Sequence, residues 1–224
     1  MSSRPPSPLQ LVLVPAVLTL LLTVVRLVGE INGWNPTLFG KPEAGGSQAL
    51  LGISWLIVVF GLWFGIRLQR GGAGPKSKGR AVLLSLLAVG ILAGGMFGLQ
   101  ALDLMWIPDE EHPGEVRGLM WMNGLLVVAV LVAAIAFGRA ALTLFLYGLL
   151  ARIPVVAVTY IAFGQETWNT HYTKIPPFFT NVAEADRLMF LVMPQITFWP
   201  ALTIVMGTLM ASLGAAMTRA RTSI

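Results

Sequence analysis

Residues 81–102 read AVLLSLLAVGILAGGMFGLQAL, 22 consecutive positions without a charged side chain. A helix needs about 20 apolar residues to cross a hydrocarbon core about 30 Å thick. Apolar and polar residues do not alternate in this run, so it does not fit a membrane β-strand. Backbone groups in lipid must be satisfied within their own segment, which favours a helix. The run therefore predicts a transmembrane helix.

The segments on either side of this run carry opposite charge. Residues 67–80 contain five basic residues and no acidic one, whereas residues 103–117 contain five acidic residues and one arginine. Because basic segments stay on the cytoplasmic side, 67–80 is predicted to lie inside and 103–117 outside. Arg139 in a later connection and Arg219 and Arg221 in the tail agree with this orientation.

Apolar runs of similar length recur along the whole chain. They lie at roughly 9–28, 49–68, 81–102, 118–137, 140–163 and 188–211. We predict an all-α, polytopic transmembrane bundle of about six spans, forming a single domain over 1–224 with both termini in the cytoplasm. The fourth connection has two interpretations: a tight helical hairpin at Gly138-Arg139, or one long tilted helix followed by a short broken one.

The overall composition favours the membrane class. Hydrophobic residues occupy 56% of the 224 positions and charged residues only 11%, against roughly a quarter charged in soluble domains. The net charge of +5 does not indicate nucleic acid, because the basic residues lie in the gaps between apolar runs and form no basic face. We therefore predict the lipid bilayer as the surroundings, the plasma membrane as the location, and no nucleic-acid partner.

The supply of metal ligands is poor. Cysteine is absent, and His112 and His171 are the only histidines, which excludes disulfides, thiolate metal sites and iron–sulfur clusters. The run Asp109-Glu110-Glu111 beside His112 has the oxygen chemistry of a hard-cation site. Consecutive acids in an outer loop are more often a solvated face, however. We predict neither a metal nor a cofactor.

Small residues recur at helical spacing in two of the runs. Gly90, Gly94 and Gly98 share one face of the third run, and Gly61 and Gly65 share one face of the second. Residues four apart stack on one side of a helix, and glycine there lets another backbone approach closely. We predict packing against helices of the same chain. The alternative is docking with a second copy or with another membrane subunit.

Arg152 is an isolated charge in the fifth run. A central arginine costs about 2.5–3.5 kcal/mol even on a lenient insertion scale, so it should face the bundle interior and find partners. Trp199 is predicted at a comparable depth for a cation–π contact, and Gln195 and Thr159 are candidate hydrogen-bond partners. Pro154 loosens the helix beside the guanidinium. Arg152 is a cytoplasmic helix end, a structural lock, or an anion site with Trp199, Gln195 and Thr159.

The outer loop 164–187 is the most polar segment. Glu166 and His171 both ionise in a useful range and are candidates for an acid–base pair. Their spacing does not place them on one helical face, and no nucleophile motif accompanies them. Tyr172 is either part of an interfacial aromatic belt or of an outward binding surface. A folded cap over the outer helix ends is the simpler interpretation of this loop.

Three functions follow from these features. The first, favoured by the shortage of catalytic groups, is a non-catalytic subunit or scaffold of a membrane assembly. The second is a small transporter or channel for an anionic or neutral solute that uses Arg152. The third is an outer-face lipid-modifying enzyme that uses Glu166 and His171. Arg26 and Glu30, spaced i,i+4 at the outer boundary of the first run, are predicted to form a structural ion pair.

Overall fold

The computed structural model describes residues 6–40, 49–106, 117–165, 167–175 and 182–219. Within these ranges the chain is helical and forms no β-strand, apart from one isolated bridge between Trp106 and Arg117. The helices are α1 (Pro8–Ile31), α2 (Pro36–Phe39), α3 (Leu56–Arg70), α4 (Lys78–Ala101), α5 (Leu119–Phe163), α6 (Arg187–Ile196) and α7 (Phe198–Ala216), with a 3-10 turn at Glu184–Asp186 before α6.

The first residues of α1 explain where the helix begins. The Ser7 hydroxyl accepts from the Gln10 backbone N–H at 3.2 Å, and the Gln10 side chain accepts from the Ser7 N–H at 3.4 Å. Pro8 occupies the first helical position, where a missing N–H costs nothing. A similar cap starts α4, where the Ser77 hydroxyl accepts from the backbone N–H of Arg80. Both helices therefore begin just before their apolar runs.

Four segments are long and apolar enough to cross a membrane. They are Pro8–Ile31, Lys78–Ala101, Leu119–Phe163 and Glu184–Ala216. Large apolar side chains cover their outer surfaces; Leu83 is 68% exposed and Ile135 67%. Water would not tolerate such a continuous apolar surface, whereas lipid would. The helical class is thus confirmed, and the protein is membrane-embedded.

The second predicted span, 49–68, is shorter than expected. The helix there, α3, begins only at Leu56, and its 15 residues reach about 22 Å at the usual helical rise. The preceding residues are held by another segment, since the backbone N–H of Leu51 donates to the carbonyl of Leu38 at 2.9 Å. Residues 49–55 are therefore apolar without forming a continuous helix with α3.

Polar contacts show that α4 and α7 run in opposite directions. The hydroxyls of Ser85 and Ser212 lie 3.0 Å apart in the middle of the pair. At one end, the Lys78 ammonium donates to the carbonyl of Thr218 at 2.6 Å. The start of α4 therefore lies beside the end of α7.

The helix α5 is interrupted at Phe137, whose φ of −153° and ψ of 76° are not helical. We call residues 119–136 α5a and residues 138–163 α5b. In α5a, the side chain of Leu125 fills the space beside Gly95 of α4. Together with the bridge that joins the connecting segment, this contact makes α5a antiparallel to α4.

The second half, α5b, packs on α7. Leu144 contacts Gly207, and Gly148 lies beside Thr203, so α5b is antiparallel to α7. Because α4 and α7 are antiparallel to each other, α5a and α5b run in opposite directions. The chain turns back at Phe137, next to the predicted hairpin and not along one long helix.

The last predicted span, 188–211, is divided in two. Thr197, with φ −111° and ψ −73°, separates α6 from α7. Pro200 lies in the first turn of α7 and has no N–H to donate to the carbonyl of Ile196, so the α6 hydrogen-bond ladder ends there. This break places Gln195 and Trp199 on separate helices.

Small residues bring α3 and α7 into backbone contact. A Cβ on Gly61 would lie 2.9 Å from the carbonyl oxygen of Gly207, and a Cβ on Gly65 would overlap the backbone of Ala211. The predicted face of Gly90, Gly94 and Gly98 differs, because a Cβ there would have no neighbour within 4 Å in the described chain. One glycine face is thus used inside the bundle, and the other is directed outward.

The aromatic core lies between α1, α3 and α5b. Tyr147 is 2% exposed, and its hydroxyl is 3.0 Å from the hydroxyl of Thr19. The rings of Phe60 and Phe64 meet Tyr147 edge to face, at centroid distances of 5.4 and 5.8 Å. This aromatic packing holds α5b against α1 and α3.

Candidate anion-binding site

A cavity of about 300 Å³ lies where α1, α5b and α7 meet the segment that follows α5. We call it the Arg152 cavity. It is lined by Thr23, Arg26, Ile53, Ser54, Arg152, Val155, His171, Tyr172, Gln195 and Trp199. Its volume is at the lower end of the range found for small-molecule sites, and its lining combines apolar walls with a few polar groups.

Arg152 is buried between neutral partners. Its Nη1 donates to Oε1 of Gln195 at 3.0 Å, and its guanidinium carbon lies 4.4 Å from the ring centroid of Trp199. Only 7% of Arg152 is exposed. Within the part of the chain that the structure describes, no carboxylate forms an ion pair with it. A cation–π contact and one amide oxygen therefore hold this charge.

Glu30 is the acceptor for a second cationic group on the cavity wall. Nε of Arg26 donates to Oε1 of Glu30 at 2.9 Å and to the carbonyl of Phe39 at 3.1 Å. The backbone N–H of His171 donates to Oε2 at 2.9 Å, and Nδ1 of His171 lies 2.6 and 2.8 Å from the two carboxylate oxygens. The carboxylate is fully buried. Multiple donors of this kind stabilise the ionised form.

Two glycines make room for the Arg26 guanidinium. A Cβ on Gly40 would lie 3.2 Å from Nη2, and a Cβ on Gly52 would lie 3.5 Å from Nη1. Gly40 also has φ +93°, which few other residues adopt. Gly40 at the end of α2 and Gly52 before α3 therefore both lie close to Arg26.

The surroundings of His171 shift its pKa in opposing directions. Burial lowers the pKa of His171 below its usual value of 6.5, and the nearby Arg26 charge adds to this, while the hydrogen bond to Glu30 opposes it. A neutral imidazole that donates Nδ1–H to Glu30 leaves Nε2 as an acceptor. Glu30 thus orients the ring and selects its tautomer.

Tyr172 adds a donor to the wall. It is 6% exposed and stacks on His171 with ring centroids 3.9 Å apart. Burial raises the pKa of the Tyr172 phenol, so the group keeps its proton. Its hydroxyl makes no hydrogen bond to another described residue.

Among the described residues, the carboxylate of Glu30 contacts Arg26 and His171, whereas Arg152 has no carboxylate partner. Removing a charge from water without a counter-ion is costly. The part of the cavity wall formed by Arg152 is therefore electrostatically complementary to an anion.

The structure brings two of the three residues predicted around Arg152 into contact with it, namely Gln195 and Trp199. The outer-loop candidates His171 and Tyr172 line the same cavity. Thr159 does not join them, because it is buried in α5b and does not line this cavity. Glu166 and the acidic run 109–112 lie outside the described residues.

Sequence reasoning missed two members of the site. Arg26 and Glu30 were interpreted as a structural pair alone, yet Arg26 lines the cavity and Glu30 holds His171. Two charges in one apolar run should have suggested a functional cluster, because intramembrane ionisable groups are rarely incidental. Among the described residues no three acidic or histidine side chains come together, and the Glu30 carboxylate is already occupied by N–H donors.

Comparisons with known proteins add no family to this description. No protein-family model matches the chain, and neither a curated protein nor a solved structure matches it significantly. The Arg152 cavity is therefore the main indication of function.

Proposed function

We propose that this membrane protein binds an anionic ligand in the Arg152 cavity, as a small transporter does. The observation that carries the proposal is a buried arginine at the wall of a cavity, whose partners among the described residues are all neutral. An anion there would complete the hydrogen bonding of Arg152 and offset its desolvation. Pro154 interrupts the hydrogen-bond ladder of α5b next to Arg152, and interrupted helices commonly border transporter sites.

The proposal includes the orientation of the bundle. Counting α3, α5a, α5b and the last helical segment as separate crossings gives six spans with both termini in the cytoplasm, in agreement with the charge pattern. The cavity would then lie in the outer half of the plasma membrane, since Arg26 and Glu30 are near the C-terminal end of α1. The Arg152 cavity favours a transporter over the scaffold, which needs no charged cavity.

Binding of inorganic phosphate to the detergent-purified protein tests this proposal. Phosphate should raise the Tm of the wild type in a saturable manner, because a ligand that binds only the folded state stabilises it. Arg152→Gln should abolish the shift. Arg187→Gln, which removes an arginine paired with the exposed Glu184, should preserve it. An equal phosphate-dependent shift in wild type and Arg152→Gln would contradict the proposal.

An outer-face enzyme remains the second candidate because of one feature. Glu30 holds His171 by its Nδ1, which leaves Nε2 as a possible base, and Ser54 is among the residues that line the same cavity. This resembles the orienting-acid and base pair of hydrolytic sites. Glu30 takes the role that the sequence suggested for Glu166. Ester hydrolysis that is lost in His171→Gln but retained in Glu184→Gln would favour the enzyme, and no turnover in any variant would remove it.

A further inference from the structure

An apolar groove lies directly beside the Arg152 cavity. Its volume is about 480 Å³, and it is lined by Leu149, Arg152, Ile153, Val156, Ala157, Tyr160, Ile161, Gln195 and Ile196. Ile153, Tyr160 and Ile161 are 61%, 68% and 53% exposed. In a membrane protein such exposed apolar side chains face lipid chains. We call this feature the lateral groove.

The groove and the cavity share two residues. Arg152 and Gln195 line both, and they are hydrogen-bonded to each other where the two spaces adjoin. The lining of the cavity includes hydroxyl-bearing residues, the His171 imidazole and the Arg152 guanidinium. The lining of the groove is almost entirely apolar. A ligand that fits both spaces is anionic at one end and hydrocarbon at the other.

We infer that the ligand is a lipid with an anionic phosphodiester headgroup, held with its headgroup in the Arg152 cavity and an acyl chain in the lateral groove. This inference rests on the proposed function and names the ligand class of the same site. A phosphodiester carries a negative charge and would supply the anionic partner that Arg152 lacks among the described residues. Its flanking oxygens match the donors of Arg152, Tyr172 and Ser54.

The positions of the two helices support lateral entry. The lateral groove lies between α5b and α6 on the exposed side of the bundle, so a lipid can reach Arg152 from the bilayer without crossing water. A soluble anion would use the cavity alone and leave the groove to bulk lipid. Occupation of the groove therefore distinguishes the two ligand sources.

Three soluble probes separate these sources in the detergent-purified full chain. They are dioctanoyl phosphatidylglycerol, dioctanoylglycerol and glycerol 3-phosphate, with Tm as the readout. We expect phosphatidylglycerol to bind at least about tenfold more tightly than either other probe, since each lacks one of the two complementary parts and a charge-assisted hydrogen bond is worth about a factor of ten or more.

Two matched variants locate the chain. Ala157→Phe fills the lateral groove, whereas Ala134→Phe adds the same bulk to an exposed position of α5a far from it. Ala157→Phe should lose the phosphatidylglycerol shift and keep a phosphate shift equal to that of the wild type. Ala134→Phe should keep both. Lipid identified by native mass spectrometry should likewise disappear only from Ala157→Phe.

The outcomes are distinguishable. Equal binding of glycerol 3-phosphate and phosphatidylglycerol, unaffected by Ala157→Phe, would overturn the lipid inference and leave the anion site standing. Equal binding of dioctanoylglycerol and phosphatidylglycerol would also overturn it, because the phosphodiester charge would then play no part. No shift with any probe, inorganic phosphate included, would overturn both the inference and the proposed function.

Discussion

The two ends of α7 are built in opposite ways. Toward its C-terminus, α7 meets α3 and α4 through Gly65, Ala211 and the Ser85–Ser212 hydroxyl pair, with backbones in contact and no space between them. At its N-terminus, Trp199 borders a cavity with two arginines, a histidine and a glutamate nearby. Small residues let helix backbones approach closely, whereas large charged ones need partners and leave room. We call the C-terminal end of α7, which is held by close packing, the closed end, and the N-terminal end beside the Arg152 cavity the open end.

The largest effect is expected from replacing Glu30, whose carboxylate accepts the hydrogen bonds of Arg26 and His171 at the open end. Glu30→Ala leaves Arg26 and the two His171 donors buried without their carboxylate, and breaking such a buried group typically costs about 3–5 kcal/mol. The free energy of unfolding in mixed micelles should fall by that amount. Glu184→Ala, which removes an exposed carboxylate paired with Arg187, is the control and should change little. Similar losses in both variants would mean that Glu30 is not the centre of this end.

The closed end should be sensitive to a single methyl group. Gly65→Ala forces a Cβ into the backbone of Ala211, which no side-chain rotation relieves, so unfolding should become easier by about 3 kcal/mol. Gly90→Ala adds the same methyl group where no described atom lies within 4 Å. It should be neutral or slightly stabilising because alanine favours helices. Equal destabilisation by the two would show that the Gly90 face is also packed.

The open end should respond to pH through His171. Its pKa is lowered in the folded state, so the unfolded chain binds more protons once the pH falls below 6.5. Stability should be constant above that pH and fall below it, by no more than about 1.4 kcal/mol per pH unit. His171→Gln should flatten this part of the profile, as measured by unfolding from pH 8 down to about pH 5. A variant profile that coincides with the wild type would exclude His171 as the titrating group.

The smallest effect is expected in the core between the two ends. Tyr147→Phe removes the hydrogen bond to Thr19 and keeps the ring packing, so a loss of about 1 kcal/mol is expected. Tyr160, 68% exposed, offers the matched substitution Tyr160→Phe, which should leave thermal stability unchanged. A loss as large as that of Glu30→Ala would place the critical polar contact in the core.

The closed end was largely predictable from the sequence. Glycines four apart at Gly61 and Gly65 indicate a close helix contact, and the same local reasoning finds the apolar runs and a turn close to Gly138. Hydropathy alone did not reveal that α3 begins at Leu56, because residues 49–55 are as apolar as the residues of a membrane-spanning helix.

The open end was predictable only in part. Counting residues from the predicted helix ends placed Trp199 and Gln195 at a membrane depth close to that of Arg152. The contact between His171 and Glu30 joins residues 141 positions apart, and it depends on the path of the segment after α5. No local pattern encodes that path, so the sequence paired His171 with the nearby Glu166 instead.

Replacement of Arg152 by methionine, with Tm measured with and without phosphate, tests the central claim most directly. If the arginine is kept for a ligand, Arg152→Met removes a desolvated charge and leaves the unliganded protein as stable as the wild type or more stable, while the phosphate-dependent rise in Tm disappears. If the arginine is only a structural lock, the unliganded variant melts well below the wild type, and the wild type itself gains nothing from phosphate. That second result would contradict the account.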